Sequence, residues 1–265
     1  MGATGGAGVK MNLGAYDHYG FAAIALVGTF LASWALAAWM HDARRTAWLH
    51  SLDGVVPPFI NIIGVLFALT LAFLANDTWS AHDRATTAVF READSLQAIV
   101  SLTRGLAPGD RDEVDRAVSA YAHAAVDVEW PLLARRRHSD ETSQVLDRLL
   151  GLLAGRSFGD TLGPAVHARL LAQAMEVREA RDQRIGLSQT HVNPLKWLGM
   201  AFLGFITMLS VAAVHVTKPR AALVAILLFA AAAGPTAAIV LIQGNPFQQP
   251  TTVTPAPIAA LIRAG

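Results

Sequence analysis

The chain contains no cysteine. Disulfides, thiolate metal sites and cysteine nucleophiles are therefore excluded. The compartment stays open, because a cysteine-free chain suits oxidising and reducing surroundings alike. Charge is scarce as well: Asp, Glu, Lys and Arg make up 15% of residues and balance to a formal +1. That balance gives no pull toward nucleic acid or an acidic substrate. Alternating β patterns of useful length are missing, as are a phosphate loop, a GxSxG elbow and an HExxH pair. The one glycine-rich group, Gly2 to Gly8, lies in a tail with no strand before it. None of the nine histidines pairs at helical spacing with a carboxylate in a way that suggests a metal site. The sequence predicts neither an enzyme nor a metal or cofactor binder.

What remains is apolar. Of 265 residues 53% are hydrophobic, and the mean hydropathy is +0.39, which requires long spans rather than a soluble core. Four runs approach the ~20 residues that cross a ~30 Å hydrocarbon layer: Phe21 to Met40, Val55 to Ala75, Trp197 to Val216 and Ala221 to Ile242. The first is longer than a cleaved signal's apolar region and ends in bulky Trp39 and Met40, so it reads as a retained span. The second begins at Pro57-Pro58, where missing amide donors cost least. It has no glycine or proline between Gly64 and Ala85, and so predicts one helix running from the bilayer into a charged extension. Gly234-Pro235 should interrupt and kink the fourth.

The fold predicted is all-α, with four transmembrane helices and a helical extramembrane bundle inserted between the second and third spans. The expected units are a flexible segment 1–16, a helix pair 17–77, a bundle 78–192, a second pair 193–243 and a proline-rich tail 244–265. Within the bundle, Asp110 with Glu113 resembles a capping box opening a helix to about Arg136. Pro131 should kink it or end it early. Ser139 should cap a shorter helix reaching Gly155, and Asp160 or Thr161 should open a long one toward His191. Arg44, Arg45, Lys218 and Arg220 in the short connections outnumber Lys10 and Arg263 in the tails, so charge places the connections in the cytoplasm.

On a helical wheel the second span divides. Asn61, Val65, Ala68, Ala72, Asn76, Trp79 and Asp83 form one stripe. Ile63, Leu66, Phe67, Thr70, Phe73 and Leu74 fill the other side. Small residues with an Asn at each end suit either a narrow hydrated passage between copies or close helix packing. Asp77, His82, Asp83 and Arg84 form a polar cluster at the membrane exit, either a pH-responsive group or a solvated turn with weak ion pairs. Arg178, Arg181 and Arg184 recur at helical spacing; they either line an anion-attracting vestibule or pair with Glu92 and Asp94. Arg135-Arg136-Arg137 either attracts anions or lipid headgroups or is a basic helix end that favours the helix dipole, the second being the preferred reading.

GVLFALTLAFLANDTWSAHDRA resembles the signature of the bestrophin-like domain family. Tyr121, then Glu129-Trp130-Pro131-Leu132, Arg181 and Arg184 before Pro194 and Trp197, and Asn245-Pro246-Phe247-Gln248 match it in order. The resemblance implies a distant likeness to bestrophins, pentameric anion channels whose second span lines the pore and continues into a helical domain. The partners it implies are the lipid bilayer, further copies of the chain and small inorganic anions. The expected location is a bacterial inner (plasma) membrane. On this analogy Phe67 and Phe73 would be the neck residues and the bundle would be cytoplasmic, against the charge count. A calcium-clasp sequence is not visible. A membrane sensor or scaffold whose bundle binds a ligand or partner is the competing function.

Overall fold

Backbone crossing hydrocarbon must satisfy its own hydrogen bonds, which long apolar segments do by coiling into helices. The structure, a computed structural model, describes residues 16–40, 56–215, 217–250 and 252–262. Among these residues every regular element is helical: α1 (Asp17–Trp39), α2 (Val56–Leu102), α3 (Pro108–His123), a π-helical segment (Ala124–Glu129), α4 (Trp130–Leu133), α5 (Asp140–Leu153), α6 (Arg156–Leu162), α7 (Pro164–Ser188), α8 (Pro194–Val214), α9 (Pro219–Ile242) and α10 (Ala256–Ile262), with a 3-10 turn at Thr103–Gly105. α1, α2, α8 and α9 are long and apolar enough to cross a membrane. The expected segment 1–16, apart from Tyr16, lies outside the described residues, as do Arg44, Arg45 and Arg263.

The second span and its extension form one helix of 47 residues, about 70 Å at ~1.5 Å per residue. Its outer half packs along α7, its membrane half along α8, and α1 lies along α9. Phe67 of α2 is buried between the spans, its ring 5.4 Å from that of Phe229. Gly204 of α8 permits this approach, since a Cβ there would stand 3.1 Å from Phe67 Cε2. The bundle core is separate: Val89, Leu96 and Ile99 of α2 meet Val118 of α3, Leu149 of α5 and Val177 of α7.

Several expected boundaries shift for local reasons. α3 begins at Pro108 with Ala107 as N-cap, and Asp110 makes no cap hydrogen bond. Proline at the first position needs no amide partner, so the helix opens before the expected box. α7 begins not at Asp160 or Thr161 but at Pro164, after Gly163 at φ +77°; those two residues belong to the separate α6. Ser139 caps α5 as expected, accepting from the Thr142 amide at 3.1 Å. α9 runs through Gly234-Pro235 without a break, and α1 passes close enough that a Cβ at Gly234 would meet Thr29 and Leu26 at van der Waals distance. Packing from a neighbouring span holds such a helix together.

Pro131 has a more specific effect than a kink. It cannot donate to an α-helical carbonyl, and the turn before it widens into the π segment, where the Trp130 amide reaches back five residues to the Ala125 carbonyl. The helix then closes on a left-handed residue, Arg136 at φ 58°. Arg136 N donates to Leu133 O and Arg137 N to Leu132 O, both at 3.0 Å, the pairing of a Schellman stop whose pivot is usually glycine. The tail after α9 lies against the bundle, with Asn245, Phe247, Gln248 and Ile258 buried.

Gly204→Leu should drive a branched side chain into the Phe67 ring and cost about 1–3 kcal/mol by overpacking. The check is the apparent melting temperature of the purified protein in detergent, which should fall. An unchanged value would mean that the α2–α8 contact is not tight.

Candidate functional site

Two regions compete for attention, the uncovered face of α2 and a buried charge network at its outer half. On α2 the side chains of Asn61, Val65, Ala68, Ala72, Asn76, Trp79 and Asp83 are all exposed on a single copy of the chain. Ala68 and Ala72 also border a groove between α2 and α9, lined across from them by Phe229, Ala232, Ala233 and Thr236. The Trp79 indole donates to Gln243 Oε1 at 3.1 Å. Phe67 and Phe73 do not share a face: Phe67 is 9% exposed and Phe73 69%. At the membrane exit Asp77 pairs with Lys196 at 2.8 Å, beside a crevice lined by Thr78, His191, Asn193 and Trp197. His82 Nδ1 lies 3.4 Å from the Thr78 carbonyl, while Asp83 and Arg84 are exposed.

The arginine stripe goes inward. Arg184 is fully buried and Arg181 nearly so. Arg184 grips Glu92 of α2 through Nε at 2.9 Å and Nη2 at 3.1 Å, and Nη2 also reaches Glu129 at 3.1 Å. Arg181 grips Glu129 through Nη2 at 2.6 Å and Nε at 3.0 Å, and its Nη2 donates onward to the Ser139 carbonyl and Ser143 Oγ. Tyr121 donates to Glu92 at 2.6 Å. Arg184 Nη1 has no hydrogen-bond partner among the described residues; the guanidinium lies 5.1 Å from the Trp130 ring centroid, and Phe247 packs edge-on against that ring. Two carboxylates and two guanidiniums cancel, the condition under which charges survive burial. Only Arg178 of the stripe is open to solvent, and it pairs with Asp147 at 3.2 Å. Asp94 remains exposed outside the network.

The electrostatics follow the geometry. Burial alone would raise the Glu129 carboxyl, but hydrogen bonds from Arg181 and the charges of Arg184 and Arg181 outweigh it and hold the group below its ordinary value. Burial, then the Glu92 charge, pushes the Tyr121 hydroxyl well up, keeping it a neutral donor. Burial opposes the charge on Arg181, yet Glu129 holds that guanidinium above its usual value. No group of three metal-ligating side chains occurs among the described residues.

The bestrophin-like domain model matches residues 23–258. The chain belongs to that family. None of the curated proteins matches it. Among solved structures, two point variants of a bacterial bestrophin homologue from Klebsiella pneumoniae superpose with TM-scores of 0.60 and 0.59 at 14% and 15% identity, covering 90% and 91% of this chain and 96% of theirs. At that identity the likeness is one of fold. The chain is an integral membrane protein of the bestrophin-like family. The scattered stretches by which the sequence resembles that family meet in space: Tyr121, Glu129, Trp130, Arg181 and Arg184 form the network, Phe247 packs on Trp130, and Asn245 and Gln248 donate to the Leu133 and Ala134 carbonyls beside it. The ion-pair role of Glu129 was not visible from spacing, because it lies 52 residues from Arg181.

Glu129→Ala would leave two buried guanidiniums sharing one carboxylate, a loss on the order of 3–5 kcal/mol. Thermal unfolding in detergent should show it, whereas Asp94→Ala should be near neutral. A carboxyl held below its ordinary value stabilises the fold at neutral pH and withdraws that contribution as pH falls through the lowered value. Wild-type stability should therefore drop below about pH 4, and Glu129→Gln should flatten that drop.

Proposed function

We propose that this protein is one subunit of a homo-oligomeric channel in a bacterial inner membrane, conducting small inorganic anions through a pore lined by α2. The observation that carries the reading is the uncovered stripe Asn61, Val65, Ala68, Ala72, Asn76 and Trp79, set on the helix that continues from the bilayer into the bundle. Asparagines within a span are poor lipid-facing residues and mark an interior or a water-filled path. The amides also donate hydrogen bonds, which a partly dehydrated anion needs. The inward packing of Phe67 against Phe229 supports the stripe over a Phe67/Phe73 neck, since one ring is already committed to the subunit's own spans. A ring of five copies follows the bestrophin analogy. All three stripe arginines are paired with carboxylates, so selectivity in this reading rests on α2 itself.

A non-conducting sensor or scaffold draws on a different observation, the charge network that ties Glu92 of α2 to α7 and to the π segment. In that reading the bundle binds a ligand or partner and the unbroken helix carries the shift.

Recording from purified protein in planar bilayers decides between them. The channel reading expects anion current, altered by Asn76→Leu, from a particle whose mass in detergent corresponds to five chains. Absence of conductance under every salt, pH and voltage would sink it. In the sensor reading a Gly-Gly insertion at Thr78 abolishes signalling while leaving the particle intact.

A further inference from the structure

One basic turn takes no part in either the α2 stripe or the charge network. Arg135, Arg136 and Arg137 follow the last turn of α4, and the structure separates their roles. Arg136 turns inward: its side chain is 4% exposed, and its Nη2 donates to Asp17 Oδ1 at 2.6 Å. Arg135 and Arg137 stay exposed, and among the described residues neither side chain has a hydrogen bond or an ion pair. The acidic residues that come next, Asp140 and Glu141, open α5 without pairing with them, and Asp140 faces His138 at 3.6 Å.

A basic helix end accounts for such residues when the cations serve the last carbonyls. Here each of those carbonyls already has a donor. Leu132 O accepts from the backbone amides of Arg135 and Arg137, and Leu133 O from the Arg136 amide and Asn245 Nδ2. Ala134 O accepts from the Gln248 side-chain amide. The two outer guanidiniums are not needed to close the helix.

Their level in the bilayer follows from the partners of the same turn. Asp17 opens α1, four residues before Phe21, where the apolar run begins. That is about 6 Å of helix, within the roughly 5–8 Å headgroup layer that flanks the hydrocarbon on each side. Asn245 and Gln248, which bond the end of α4, come directly after α9, so a second span ends at the same place. Tyr16 and Tyr19 border a cleft with Pro131 and Ala134, and such amphipathic rings favour a membrane–water boundary. Two span ends and two tyrosines thus set the turn at the level of the lipid phosphates.

We propose that Arg135 and Arg137 bind the phosphate headgroup of an anionic lipid in the leaflet on the bundle's side. Charge complementarity carries the proposal: two cations without a partner among the described residues stand where lipid phosphates lie. A guanidinium fork can hold two phosphate oxygens at once. Arg136, fixed to Asp17, stations one such fork on either side of itself. The site rests on α1 and α9 crossing the membrane and not on conduction.

The test titrates full-length protein in detergent micelles with phosphatidylglycerol that carries a fluorescent acyl chain. Phosphatidylcholine with the same chain is the reference, because its choline cancels the phosphate charge. The wild type should prefer phosphatidylglycerol. Arg135→Gln combined with Arg137→Gln should weaken that lipid by about 30-fold, about fivefold for each cation, and leave phosphatidylcholine binding as it was. Arg156→Gln combined with Arg169→Gln removes the same charge from exposed positions on α6 and the first turns of α7, and should keep the preference. The Arg135/Arg137 variant should also melt as the wild type does in phosphatidylcholine; early melting would assign the pair a structural role instead. Equal binding of the two lipids by the wild type overturns the proposal. So does a preference that survives loss of Arg135 and Arg137, or one lost equally without Arg156 and Arg169. Displacement of the lipid by excess inorganic phosphate overturns it as well, since the site would then be one for free anions.

Discussion

The structure depends on keeping four charges out of water at one point. Glu92 belongs to the helix that leaves the bilayer, Glu129 ends the π segment, and Arg181 and Arg184 sit one turn apart on α7. None of these side chains tolerates burial alone, and a partner left behind costs more than the pair contributes. The network therefore acts less as a source of stability than as a rule of registration. α2, the π segment and α7 have one mutual arrangement in which the charges cancel, and a slip of α2 by one residue would turn Glu92 away from Arg184. The fork geometry of the guanidinium strengthens this, because two parallel hydrogen bonds fix orientation as well as distance.

This rule explains how much of the molecule could be read in advance. Hydropathy alone locates the four spans to within a few residues, and the lack of helix breakers after Gly64 announces the continuous α2. Ser139 is recognisable as a cap because its hydrogen bond is local. The inward turn of Arg181 and Arg184 is not local. Their spacing fits an exposed stripe as well as a buried pair, and only the partners, 52 and 92 residues away, decide between those readings. The same limit applies to Asp17 and Arg136, separated by 119 residues. The family resemblance carried this information in a form that spacing does not, since its scattered stretches are the parts that meet.

Pro131 shows how one covalent constraint propagates. A missing amide widens one turn and moves the helix end to Arg136. There the chain reverses through a left-handed arginine, and a neighbouring backbone amide, that of Ser139, bonds Glu129 at 3.2 Å. A single residue type thus links the charge network to the contact with α1.

The unbroken α2 has a mechanical consequence. A helix joined by hydrogen bonds at every turn is stiff in torsion, so twist applied at one end arrives at the other with little loss over its ~70 Å. The outer half is clamped in azimuth by Glu92, which means that the clamp also sets which residues of the inner half point in a given direction. Loosening it by the arc of one residue would turn the membrane face by about 100 degrees, exchanging the small side chains for bulky ones. The bundle works, in this sense, as the indexing stop of a shaft whose working surface lies about 40 Å away.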